Sequence, residues 1–219
     1  MKLWTYLLTL LYPEKCVLCG KVLEKEETDL CHTCRIEAPE YSFGKKKAAH
    51  VEELTAVWLY EGDVRRSILR YKFGTVRHYA DAYGRLMAMR IQQDLPDFDL
   101  ITWVPISARR LRQRGFDQVE LLAKAVSAEL GVPAEPLLQK FRDNQANSGL
   151  STSAERRANV LGVYKAIDPG RIRGKRVLLL DDVITTGATA SECARVLLTA
   201  GAEIVTFAAV AAAGTTTSK

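Results

Sequence analysis

From about residue 99 onward, short apolar runs alternate with longer stretches in which apolar residues recur every three or four positions. The runs "DLITWVP" (99–105), "RVLLLDD" (176–182) and "EIVTFAAVA" (203–211) predict strands, with a shorter one near "AEPLLQK" (134–140). Helical spacing runs through "FDQVELLAKAVSAELG" (116–131) and "ATASECARVLLTAG" (188–201). Upstream, "LTAVWLYEG" (54–62) reads as a strand and "DVRRSILRYKF" (63–73) as a helix capped by Asp63. "YADAYGRLMAMRIQQDL" (79–95) reads as a second helix. Strands without polar alternation, separated by helices of this length, predict an α/β architecture: a parallel sheet covered on both faces. No internal repeat interrupts the pattern. The first residues, "MKLWTYLLTLLYP", place Trp4, Leu7, Leu8 and Leu11 on one helical face and predict a short helix packed on the body. This stretch is about half the length that spans a bilayer, so no transmembrane segment is expected. "GTTTSK" at the end reads as a frayed tail.

Composition changes this picture little. With 219 residues, 47% of them hydrophobic, the chain suits one α/β domain and a small appendage. The net charge of +5 is unevenly spread: Arg65 to Arg90 carries seven bases against one acid, and Lys140 to Arg176 nine against three. Such tracts point to a phosphate-rich partner. With no signal sequence, the expected location is cytoplasmic, where stable disulfides are rare.

Four of the five cysteines lie in "CVLCGKVLEKEETDLCHTC", as Cys16-x2-Cys19 and Cys31-x2-Cys34. Two such pairs form thiolate knuckles that can close a tetrahedron around one zinc ion, Gly20 helping the first to turn. A redox CxxC and two disulfides are the competing readings. The repetition argues against the first and the compartment against the second. Four protein ligands leave no open position, so the zinc is expected to be structural. His32 reads as a surface residue and Cys193 as a small buried one. The organisation expected is a helix and zinc module over 1–50, too small for a core of its own, and a larger domain over 51–219. The linker "EYSFGKKKAAH" between them reads as a basic turn.

Ligands of parallel sheets bind beyond the carboxyl ends of the strands, which singles out three loops: Pro105 to Gly115, Lys140 to Asn159, and Asp181 to Thr189. In the last, an apolar strand runs into Asp181 and Asp182, expected at its solvent-facing end, and "VITTGAT" leads into a helix. Amides from Thr185 through Ala188 to Thr189 can wrap a phosphate, the hydroxyls of Thr185, Thr186 and Thr189 can donate to it, and Gly187 permits close backbone approach. The two carboxylates can accept from a sugar diol and help hold magnesium. An ordinary strand, loop and helix with a double-acid cap is the plainer alternative; a Walker loop is excluded because no GxxxxGK[ST] occurs.

Residues 177–189 resemble the 5-phosphoribosyl-1-pyrophosphate (PRPP) signature of type I phosphoribosyltransferases. The paired CxxC motifs, "ILRYKFG", "VPISARRLRQRGFDQ", "NQANSGLSTSAERRANVLGVY" and "LLLDDVITTGAT", in that order, resemble the ComF family of competence and DNA-uptake proteins over almost the whole chain. Asp117 stands where that family usually has asparagine, and "YKFGT" where it has a KYxGD-like segment. The resemblance implies a parallel-sheet phosphoribosyltransferase-like domain beside a small four-cysteine zinc module, binding PRPP with magnesium. It implies a pyrophosphate loop carrying Ser107, Arg109 and Arg110, with Arg114 and Gly115 as possible setters of the next helix start. Catalysis would rest on Asp181, Asp182 and Arg109, because metal and arginine stabilise a leaving pyrophosphate. A closing loop would bring in Arg142, Gln145, Arg156 and Arg157. A base-binding hood would come from the zinc module and Leu54 to Tyr79, where Trp58, Tyr60, Arg65, Arg66, Arg70, Tyr71, Lys72, Phe73 and Arg77 mix charge and aromatic surface. That mixture also suits single-stranded DNA. Two functions stay open: a PRPP-binding protein of DNA uptake that handles single-stranded DNA and meets uptake-machinery proteins, and a transferase of nucleotide metabolism moving phosphoribose onto a small acceptor.

Overall fold

The computed structural model describes residues 13–74, 78–142 and 153–214. Within them the apolar runs assemble into one four-stranded parallel sheet: β1 (Leu54–Leu59), β2 (Leu100–Trp103), and the long strands β5 (Arg176–Ile184) and β6 (Ile204–Ala212). The spatial order is β1-β6-β5-β2, so the two longest and most apolar strands are central. Every β6 residue after Ile204 is buried, which is why that strand shows no polar alternation. The pleat nevertheless sorts β5 by parity. Leu178 and Leu180 join Ile101, Tyr83, Met87, Leu122 and Val126 in one core, while Val177 and Leu179 join Phe207, Cys193, Ala194 and Leu197 in the other.

Helices cover both faces, as the pattern predicts. On one lie α3 (Tyr79–Asp94) and α5 (Gln118–Leu130), so closely packed that a Cβ added at Gly84 would sit 2.4 Å from that of Ala125. On the other lies α8 (Ala188–Thr199). The helix α2 (Gly62–Phe73) starts one residue before the predicted Asp63 cap. Asp63 is inside the first turn and ion-pairs with Arg66, while Glu61 occupies the cap position without a side-chain bond.

Three expectations are corrected here. The stretch near 134–140 reaches the parallel sheet only through a bridge of Ala134 to Ile101 of β2, and its strand, β3 (Leu138–Lys140), pairs antiparallel with β4 (Tyr164–Ala166), a strand too short to show a period. The stretch Pro105 to Gly115 is not a plain loop but holds α4 (Ala108–Arg114). Likewise α6 (Ser153–Val160) occupies the end of the Lys140 to Asn159 stretch, and α7 (Pro169–Ile172) adds a single turn.

The cysteine module, with α1 (His32–Glu37), is not an independent body. Cys16, Val17, Leu18 and Leu30 belong to the same buried cluster as Ile68, Tyr71 and Tyr83. Ser67 Oγ and the Arg70 guanidinium donate to the carbonyls of Val17 and Leu18, and Arg85 Nε to Asp29 Oδ2 at 2.9 Å. The linker is packed too, with Tyr41 buried and Lys46 Nζ donating to the Ala213 carbonyl at 2.6 Å. The predicted N-terminal helix face of Trp4, Leu7, Leu8 and Leu11 lies outside the described residues, as do residues 215–219 of the tail. Among the described residues no helix is long and apolar enough to cross a membrane.

Candidate functional site

The two acids are not at a solvent-facing strand end. β5 continues past them to Ile184, with Asp181 in register with Ala209 of β6, and Asp182 is 5% exposed. The reason is neighbouring backbone: β2 stops pairing at Leu180, but β6 continues alongside β5 as far as Ile184, which prolongs the ladder beyond the apolar run. Asp182 is held by Lys72 Nζ at 2.8 Å on Oδ1 and by Gln118 Nε2 at 3.1 Å on Oδ2. Its amide donates to Asp181 Oδ1 at 2.8 Å. Burial, reinforced by the adjacent Asp182 charge, holds the Asp181 carboxyl well above the usual carboxylate range. Burial would lower Lys72, but the Asp182 charge outweighs it and raises the ammonium above its ordinary value.

Beyond the strand, Thr185, Thr186 and Gly187 turn the chain into α8. Gly187 is the helix N-cap in the left-handed region, φ 79°, and an added Cβ would lie 3.1 Å from that of Ala48. No side chain caps this helix at Gly187, so its first amides and the positive end of its dipole face the loop. Thr186 Oγ1 accepts from the Ala188 amide at 3.4 Å, and Thr185 is exposed.

The segment after β2 approaches the same place. Ser107 is the N-cap of α4, accepting from Arg110 N at 3.4 Å, and Gly115, φ 74°, ends that helix, so Arg114 and Gly115 close one helix instead of opening the next. Asp117 opens α5, its carboxylate accepting from the amides of Val119 (2.9 Å), Glu120 and Ile106 (both 3.3 Å). It thus ties the segment after β2 to the α5 N-terminus, and burial pushes its carboxyl up despite those amides.

These elements enclose a cleft of about 830 Å³. Of the sequence-predicted residues it brings together Asp181, Asp182, Thr185, Gly187, Ala188, Thr189, Arg110 and Arg156. Ser107 is spent on its cap, Arg109 is exposed, and Thr186 is turned to Ala188; none of the three lines the cleft. Arg142 lies against the Phe141 ring at 5.3 Å, Arg157 falls within α6, and Gln145 lies outside the described residues. Sequence reasoning missed Gln118, Lys140 and Tyr164 as cleft residues, while Arg114, one of the four arginines from Arg109 to Arg114 expected near a diphosphate, does line it. A polar residue directly after a helix cap that follows a candidate loop is the signal that marks Gln118.

The hood expectation needs correction. Leu54–Leu59 is an edge strand of the main sheet, Trp58 (3% exposed) and Tyr71 (0%) are core residues, and Arg70 is tied to Leu18. Buried rings cannot stack bases, so the aromatic surface left is Tyr60 and Phe73, which line the cleft with Lys72. Arg65 and Arg66 are exposed, and Arg77 lies outside the described residues.

At the other end, the Sγ atoms of Cys16, Cys19, Cys31 and Cys34 all lie within 4.8 Å of one another, with Cys19 and Cys31 3.7 Å apart. Tetrahedral zinc thiolate bonds of about 2.3 Å put sulfurs about 3.8 Å apart, so the residues fit a structural zinc. His32 is exposed, and Cys193 is buried, as predicted.

Comparison with known proteins agrees with both halves. The double zinc ribbon domain family matches residues 7–45, and the phosphoribosyl transferase domain family matches residues 120–219. The chain is 28% identical over 200 residues to the DNA utilization protein YhgH of Salmonella typhi, covering 87% of this chain and 86% of that one. It is 28% identical over 193 residues to competence protein ComFC of Streptococcus pneumoniae (88% and 80%). Competence protein F of Haemophilus influenzae is 30% identical over 145 residues (62% of each chain).

Proposed function

The chain belongs to the ComF family, and from that premise we propose that it binds PRPP in the cleft and serves DNA uptake and utilisation, handling single-stranded DNA from the cytoplasmic side. The observation that carries the reading is the pairing of Asp181 and Asp182 with the α8 N-terminus, whose cap residue Gly187 bears no side chain, in one cleft. The amides from Thr185 to Thr189 take the 5-phosphate. The two carboxylates accept from the ribose diol, and with ligand oxygens they would hold magnesium, which neutralises the diphosphate. Arg110, and Arg156 from α6, are the cleft cations that face phosphate; Arg109 reaches it only if its side chain moves in. Exposed Arg65 and Arg66 offer phosphate contacts for single-stranded DNA. Uptake-machinery proteins are the expected partners.

A second reading, a transferase that moves phosphoribose onto a small acceptor, is favoured by the cleft's size, since about 830 Å³ leaves room beside a phosphoribosyl group. Calorimetry with magnesium and PRPP tests the site: replacing both Asp181 and Asp182 by Ala should reduce affinity at least about a hundredfold, the loss of two charge-assisted contacts. Equal affinity refutes it. Pyrophosphate release that depends on an added acceptor would select the transferase, whereas PRPP binding that shifts DNA affinity without release would select the PRPP-binding protein of DNA uptake.

A further inference from the structure

The two-stranded ribbon of β3 and β4 has two faces of different character. Toward the cleft it turns Lys140 and Tyr164, which are opposite one another in register, with the ammonium 5.5 Å from the ring centroid. Neighbouring residues on a strand point to opposite sides. Phe141 and Lys165, next to that pair, do not line the cleft; both are exposed, Phe141 by 44%. The Phe141 amide donates to the Val163 carbonyl at 3.1 Å, so the ladder itself carries the ring. The Arg142 guanidinium lies 5.3 Å and the Lys165 ammonium 5.7 Å from the Phe141 centroid. From Leu137 to Arg142 and from Val163 to Ile167 the ribbon has no carboxylate, and among the described residues no ion pair engages Arg142 or Lys165. Its outer face therefore presents an exposed ring beside two cations that lack a counter-charge.

We propose that this outer face is a stacking platform for single-stranded DNA, one base lying on Phe141 and the phosphates on either side of it meeting Arg142 and Lys165. The inference rests on the DNA reading above and adds a base contact to the phosphate contacts of Arg65 and Arg66. An exposed ring alone would suit any apolar partner, but two cations against it select a partner that is flat and flanked by negative charge, which describes one nucleotide within a strand. A base that stacks on the ring displaces a cation from it, and the long side chain then follows the phosphate. A duplex keeps its bases inside its own stack and cannot use the ring. Every base has a π-face, so little sequence preference is expected. Because Lys140 and Phe141 are adjacent but face opposite ways, the DNA and a ligand in the cleft occupy two sides of one ribbon.

Fluorescence anisotropy of the full chain with labelled oligo(dT) tests this. Phe141→Leu keeps an apolar side chain at an exposed position and should weaken binding at least about fivefold, the low end of one lost stack. Phe141→Tyr should retain wild-type affinity, because the ring is what the base needs. Arg142→Gln and Lys165→Gln should each flatten the slope of log affinity against log salt by about 0.7, one phosphate contact of a single strand. Binding of a duplex of equal length should not respond to Phe141→Leu. If Phe141→Leu does not fold, the two salt slopes decide, and slopes equal to that of the wild type overturn the platform. Wild-type affinity in Phe141→Leu, or an equal loss in Phe141→Tyr, overturns the platform and leaves the DNA reading standing. Failure of the wild-type protein to bind oligo(dT) overturns both.

Discussion

The cysteine module and the diacid cleft are built by opposite routes. All four zinc ligands fall between Cys16 and Cys34, and one metal ion organises a segment that has little core of its own. The cleft draws on the ends of β2 and β5 and on α2, α4, α5 and α8, positions far apart in the chain that only the sheet brings together. A centre made by local chelation can be lost as a unit while the rest persists. A cleft made by strand ends persists as long as the sheet does, and its side chains can be retuned one at a time.

The largest effect tests that separation. Removing zinc by chelation, or Cys34→Ser, withdraws a binding free energy on the order of 10 kcal/mol from the module. Hydrogen exchange should then show residues 13–40 opening while β5 and β6 stay protected. Because Ser67 and Arg70 bond the Val17 and Leu18 carbonyls, α2 should loosen next, and Lys72 with it. Simultaneous loss of protection in β6 would mean that the module and the sheet are one cooperative unit.

A smaller effect probes the cleft alone. Gly187→Ala introduces a Cβ at φ 79° and 3.1 Å from Ala48. A destabilisation of roughly 1–2 kcal/mol is expected from the left-handed conformation, read in a denaturant titration, together with weakened PRPP binding in calorimetry. Zinc content should be unchanged.

The smallest is a gain. Because burial and Asp182 raise the Asp181 carboxyl, the stability it contributes is complete below the ordinary carboxylate range and is lost as pH rises through the raised value. Asp181→Asn removes that loss. Without ligand or magnesium, its melting temperature should match wild type near pH 4 and exceed it at neutral pH, by about 2–4 °C per kcal/mol released. A lower melting temperature at neutral pH would show that the Asp181 charge is compensated in the folded state.

Much of this is legible in the sequence, and unevenly. The zinc ligands, the strands at β2, β5 and β6 and the helices α3, α5 and α8 follow from spacing and period, which are local properties. Asp181, Asp182 and the loop to Thr189 are legible because one continuous segment carries them. The α4 helix is hidden by its four arginines, which have no apolar stripe, and is held by the Ser107 cap and the Gly115 turn. Trp58 and Tyr71 read as surface in the sequence because composition does not say which side of an element faces the core.

The amino-acid order by itself therefore determined the parallel-sheet class, the metal-binding cysteines and the segment that presents two carboxylates ahead of a helix start. Each depends on residues within about one element of each other, where covalent geometry sets the distances. Tertiary structure alone decided that Asp182 is buried, that Lys72 and Gln118 meet it from two separate helices, and that Gln118 Oε1 is left without a donor among the described residues. Those contacts link residues that are distant along the chain, and their existence depends on how the helices settle on the sheet, which no local period encodes.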